Sequence, residues 1–62
     1  MIETPTAAAR KALNMTQEEL AAAVGVTQPA VHAYERGFYN PSEKVSAKIR
    51  ALLIEKGIKV WE

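Results

Sequence analysis

The sequence predicts an all-α fold: four to five short helices in one compact domain, residues 1–62, with the last residues as a short strand or an extended end. Three observations carry this expectation. Apolar residues recur three and four positions apart, the period of a helix with one buried face. Threonine, serine and asparagine stand just ahead of these stripes, where helix caps belong. Glycine follows where the stripes stop.

The elements follow in order. Thr4, Pro5 and Thr6 form a capping region, and a first helix runs from about Thr6 to Leu13. Asn14 and Met15 lead to Thr16, with Glu19 three residues later. That spacing is a capping box: the Thr16 hydroxyl accepts from the Glu19 amide and the Glu19 carboxylate reaches back. Glu18 and Glu19 also suit the positive end of a helix dipole. Leu20, Ala21 and Val24 are the buried face, and Gly25 ends the helix. Thr27 caps the next one, with Pro29 in its first turn, where a missing amide hydrogen costs little. Val31 and Tyr34 face the core, and Gly37 is the next stop. Only Val26 separates Gly25 from Thr27, so the two helices cross steeply over a tight turn, the geometry of a helix-turn-helix. Phe38 and Tyr39 form a loop. In Asn40-Pro41-Ser42-Glu43 either Asn40 or Ser42 caps a last long helix, whose stripe is Val45, Ile49, Leu52 and Leu53. Gly57 ends it, and residues 57–62 form a tail.

Composition narrows the function. Sixty-two residues allow one small core, near the lower limit for folding alone. There is no cysteine and one histidine, so neither a disulfide nor a thiolate or polyhistidine metal set is expected. No apolar run approaches the roughly 20 residues that span a bilayer. The start, Met1-Ile2-Glu3, lacks the basic and apolar segments of a signal peptide. No nucleophile–base pair or phosphate loop is present. An enzyme, a cofactor and a membrane role are therefore not expected, and a cytoplasmic location is.

The stretch from Thr16 to Gly37 resembles the lambda-type repressor and Cro family of helix-turn-helix proteins, also called XRE-like. The matching residues are Thr16-Gln17, Leu20-Ala21, Gly25-Val26-Thr27-Gln28, Val31, and Glu35 with Gly37. Arg10, Leu13 and Pro41-Ser42 fall where the family has such residues, and the resemblance covers roughly residues 6–54. It implies a lambda-repressor-like domain that binds double-stranded DNA as a transcriptional regulator, with residues 27–36 as a recognition helix in the major groove. It also implies a bacterial or phage-infected cell. The same fold serves antitoxins and adaptors that bind proteins, which is the alternative reading.

Residue roles follow from this resemblance. Gln28 begins the recognition helix, and its amide offers the donor–acceptor pair that matches the N6 and N7 edge of adenine. Pro29 and Ala33 are apolar on the groove side and suit a thymine methyl. His32 shares a face with Gln28. Thr27 both caps and touches the DNA. Gln17, Thr16, Arg36, Lys11 and Lys44, with Lys48, are backbone-contact candidates; each also reads as an ordinary solvated residue. Arg10 and Glu35 are implied to form a partly buried pair that fixes the recognition helix.

Eight Lys+Arg against seven Asp+Glu leave a formal charge of only +1, low for a lone nucleic-acid binder. A homodimer on two half-sites one helical turn apart would add its contacts. Ile54, Ile58, Val60 and Trp61 are more apolar surface than a short terminus needs, and are the candidate dimer contact. Alternatively, Trp61 folds over its own core. The chain is shorter than the ligand-sensing repressors it resembles, so a small Cro-like repressor without a small-molecule effector is expected.

Overall fold

A computed structural model describes residues 3–59. They form four helices: α1 (Pro5–Ala12), α2 (Gln17–Val24), α3 (Gln28–Arg36) and α4 (Glu43–Glu55). No strand occurs among the described residues, and the tail residues Val60 and Trp61 lie outside them.

Each helix starts on a side-chain oxygen. Thr4, Thr16, Thr27 and Ser42 sit in extended conformation and accept from the amides of Ala7, Glu19, Ala30 and Val45. At Thr16 the full capping box is present: Glu19 Oε1 accepts from the Thr16 amide at 2.8 Å. Ser42, not Asn40, caps α4, with its Oγ 3.2 Å from the Val45 amide. Thr4, rather than Thr6, caps α1. Pro5 is then the first helical residue, where its fixed φ suits the helix, and Thr6 is free to be buried. Thr16→Ala removes the hydroxyl partner of the capping box. It is expected to lower stability by about 1 kcal/mol, or roughly 4–8 °C in a thermal melt of a domain this size.

The helices also end alike. Past each, one residue adopts positive φ: Asn14 (58°), Gly25 (77°), Gly37 (80°) and Gly57 (70°). The next residue donates back to the helix: Met15 to Arg10 O, Val26 to Ala21 O, Phe38 to Ala33 O and Ile58 to Leu53 O, at 2.9–3.2 Å. These are Schellman closures, which satisfy otherwise orphaned carbonyls. At Gly25 the left-handed turn is what lets α3 begin with only three residues separating it from the end of α2. Asn14 is the residue type, after glycine, best suited to that conformation. α2 has no basic residue in its last turn. Instead Lys48 reaches over from α4, its Nζ 3.7 Å from where a Cβ on Gly25 would stand. Its charge complements the negative end of the α2 dipole.

The core lies where α1, α2, α3 and α4 meet. Leu20, Val24, Val31, Ile49 and Leu53 are fully enclosed, with Ala9 and Leu13 from α1 and its closing turn. Met15, Val26, Tyr34, Leu52 and Ile58 cover this cluster from the side. Each fully buried aliphatic side chain contributes roughly 1.5–3 kcal/mol, and small residues such as Ala9 and Ala21 let the helices approach. α2 and α3 pack most extensively on each other.

Candidate nucleic-acid interface

On α3, Val31 is buried, Tyr34 is half-buried on the core, and Pro29, His32 and Arg36 are exposed. The exposed residues are three and four apart, hence on one outward stripe. Gln28 stands at the first turn and is half-buried, and Ala33 is half-buried beside the stripe. Thr27 is exposed even as it caps.

Gln28 is held by a chain of hydrogen bonds that runs back to α1. Its Nε2 donates to Gln17 Oε1 at 2.6 Å. Gln17 Nε2 donates to Glu35 Oε1 at 3.2 Å. Glu35 accepts from Arg10 Nε at 2.5 Å and from the second terminal nitrogen of Arg10 at 3.1 Å. The other terminal nitrogen donates to the Met15 carbonyl at 3.0 Å. The chain therefore ties α1, the α1–α2 turn, the start of α2 and both ends of α3. Its polarity is fixed by Glu35. An ionised carboxylate only accepts, so Gln17 must donate to it and turn its oxygen toward Gln28, which must donate in turn. The Gln28 oxygen and its second N–H remain for a ligand.

The expected Arg10–Glu35 pair is thus present, bidentate and largely enclosed, with side-chain exposures of 19% and 9%. Two opposed influences act on the Glu35 carboxyl. Burial pushes it up and is the largest single effect. Hydrogen bonds from Arg10 and Gln17, with the charges of Arg10 and Lys11, together outweigh burial and hold it below the ordinary value. Its hydrogen bond to Glu35 raises Arg10 further, against burial. A carboxyl whose folded value is depressed binds fewer protons when folded. Its stabilisation is present above the unfolded value of about 4.3 and is lost as pH falls through the folded value. Melts taken from pH 7 downward are expected to fall in the acid range, and Glu35→Gln to flatten that limb. An acid limb of unchanged slope in the variant would contradict the assignment.

The backbone-contact candidates divide. Thr16 and Gln17 lie together at the α2 start, with Gln17 engaged in the chain above. Arg36 is exposed and its guanidinium sits 5.8 Å from the Phe38 ring centroid, within cation–π range. Lys11 is exposed and paired with Glu3, and Lys44 is exposed at the first turn of α4. Of the candidate dimer residues, Ile54 is 76% exposed. Ile58 is instead half-buried against this chain's own core, drawn back by the turn at Gly57. Val60 and Trp61 fall outside the described residues. The direct Gln28–Gln17–Glu35 linkage and the Met15 carbonyl contact were not foreseen from sequence, since they depend on how the helices cross.

The helix-turn-helix family model matches residues 7–54, the span of all four helices but for the margins of α1 and α4. The chain belongs to the lambda-repressor-like helix-turn-helix family. Relatives agree with this. An uncharacterized HTH-type transcriptional regulator of Archaeoglobus fulgidus is 52% identical over 61 residues, covering 86% of each chain. A similarly named protein of Methanothermobacter thermautotrophicus is 48% identical over 44 residues, covering 71% of this chain and 64% of its own length. One of Methanocaldococcus jannaschii is 40% identical over 47 residues, covering 76% and 67%. No solved structure matches the chain. These three helix-turn-helix relatives are archaeal, so the bacterial or phage setting implied by the motif finds no counterpart among them. No described helix is long and apolar enough to cross a membrane.

Proposed function

We propose that this chain is a sequence-specific double-stranded DNA-binding transcriptional regulator of Cro-like type, acting in the cytoplasm. Helix α3 enters the major groove with Thr27, Gln28, Pro29, His32 and Ala33 toward the bases. The observation that carries this reading is the hydrogen-bond chain ending on Gln28. A glutamine on a helix start would ordinarily sample many rotamers. Here one N–H is committed to Gln17, and the remaining oxygen and second N–H are the pair that an adenine edge requires. Pre-ordering of this kind lowers the entropic cost of binding.

Thr16, Gln17, Lys11, Arg36 and Lys44 supply backbone contacts, and the Lys11–Glu3 pair, being exposed, opens at little cost. The acting form is a homodimer on a palindromic operator. The exposed Ile54 supplies its contact, since the near-neutral charge leaves a single copy with a weak electrostatic footprint. Ile54→Glu is expected to shift sedimentation toward the monomer; an unchanged distribution would remove Ile54 from the interface.

The function is tested by titrating duplex DNA at several salt concentrations. Affinity is expected to fall as salt rises, and a selected operator is expected to keep about a thousand-fold or greater preference over random duplex. Absence of any duplex binding at low salt would point to a protein partner instead.

A further inference from the structure

The Thr4 hydroxyl does two things at once. It accepts from the Ala7 amide at 3.3 Å, closing the first turn of α1. It also donates to the Glu35 carbonyl at 3.2 Å, across 31 residues of sequence. Glu35 is thereby held at both ends, its carboxylate by Arg10 and Gln17 and its carbonyl by Thr4. The Gly37 and Phe38 amides close on Tyr34 and Ala33, which leaves the Glu35 carbonyl to Thr4.

We infer that Thr4 is a positioning residue for DNA reading: with Arg10 it makes a two-point mount that sets the angle of α3 in the groove. This role rests on the DNA-binding function proposed above. The physical reason is geometric. Arg10 lies six residues after Thr4, roughly 9 Å along the α1 axis at 1.5 Å per residue. Both anchors fall on Glu35, one on its backbone carbonyl and one on its carboxylate, so a single contact leaves this end of α3 free to turn about it and the second opposes that turn. The Arg10 anchor continues to Gln28 through Gln17, so a tilt of α3 at its Thr4 end strains the chain that orients Gln28. Burial alone does not supply this constraint, because only Val31 of α3 is fully enclosed.

Capping and mounting separate by substitution. Thr4→Ser keeps both the acceptor and the donor. Thr4→Asp keeps a good capping acceptor, but an ionised carboxylate cannot donate to the Glu35 carbonyl. Thr4→Ala loses both. The readouts are urea midpoint, preference for an operator enriched from random duplexes over random DNA, and amide exchange at Gly37 and Phe38. Thr4→Ser is expected to match the parent in all three. Thr4→Asp is expected to lower the midpoint, since the Glu35 carbonyl loses its donor, and to lower the operator preference of the folded protein about three- to ten-fold, the equivalent of one ordinary hydrogen bond. Exchange at Gly37 and Phe38 is expected to quicken, with α2 amides unchanged. Parent-like preference and exchange in Thr4→Asp would overturn the mount. So would a loss of preference in Thr4→Asp and Thr4→Ala that merely tracks the fall in midpoint. If the parent prefers no duplex, the DNA-binding function falls by itself, and the exchange comparison alone then decides whether Thr4 anchors α3.

Discussion

Glu35→Gln and Arg10→Met should each cost the domain about 3 kcal/mol, the low end for removing one partner of an enclosed ion pair. The low end applies because Arg10 keeps some exposure to water. Domains of this size have roughly 3–9 kcal/mol in total, so either variant is expected to melt at least 10 °C lower, at roughly 4–8 °C per kcal/mol. The cost arises from the partner left behind. In Arg10→Met, Glu35 remains in its enclosed position with only Gln17 to satisfy it, and the Met15 carbonyl loses its donor. In Glu35→Gln, Arg10 keeps its charge with only the weaker influence of Glu3 opposite it. The double variant Arg10→Met/Glu35→Leu is the informative control. Apolar replacement of both partners is often neutral or better, so the melt should recover most of the loss. Operator preference should not recover, because the acceptor that sets the orientation of Gln17, and through it Gln28, is gone. Thermal melts and competition binding on the three proteins measure both. Recovery of binding together with stability would show that the pair has no orienting role.

Gln28→Ala should lower operator affinity by about 1–3 kcal/mol, roughly five- to 150-fold, and leave random-duplex affinity nearly unchanged. Gln28 is half-buried at the helix start and is not one of the enclosed core residues, so the melt should move little. Gln17→Ala should reproduce part of this loss without itself reading a base, by freeing the Gln28 rotamer. Competition between operator and random duplex separates the two effects. An equal fall in affinity for both duplexes would reassign Gln28 to the backbone.

Much of the fold is legible in the chain because the signals are local. Thr16 with Glu19, Thr27 with Pro29, and the glycines at 25, 37 and 57 each act within one helical turn. The stripes Leu20–Ala21–Val24 and Val45–Ile49–Leu53 give the buried faces directly. Where two local signals compete, as with Asn40 and Ser42, sequence leaves the choice open. The structure settles on Ser42, so that Val45 and Ile49 turn inward. The Arg10–Glu35 pair came from family resemblance, not from spacing. Thr4 to Glu35, and Lys48 over Gly25, join residues more than twenty apart whose meeting depends on helix crossing angles. No periodicity encodes such contacts. Ile58 shows the converse. Its apolar character is plain in the sequence, but whether it faces outward or inward turns on the backbone reversal at Gly57.

Selection of bound duplexes from a random library, followed by sequencing, tests the central claim most directly. A sequence-reading α3 carried on a dimer predicts a palindromic consensus with half-sites about 10 base pairs apart, centre to centre. Each half-site should contain an adenine whose enrichment disappears with Gln28→Ala. A pool with no consensus, or one that Gln28→Ala leaves unchanged, would contradict the claim that the Gln28 end of α3 chooses the sequence.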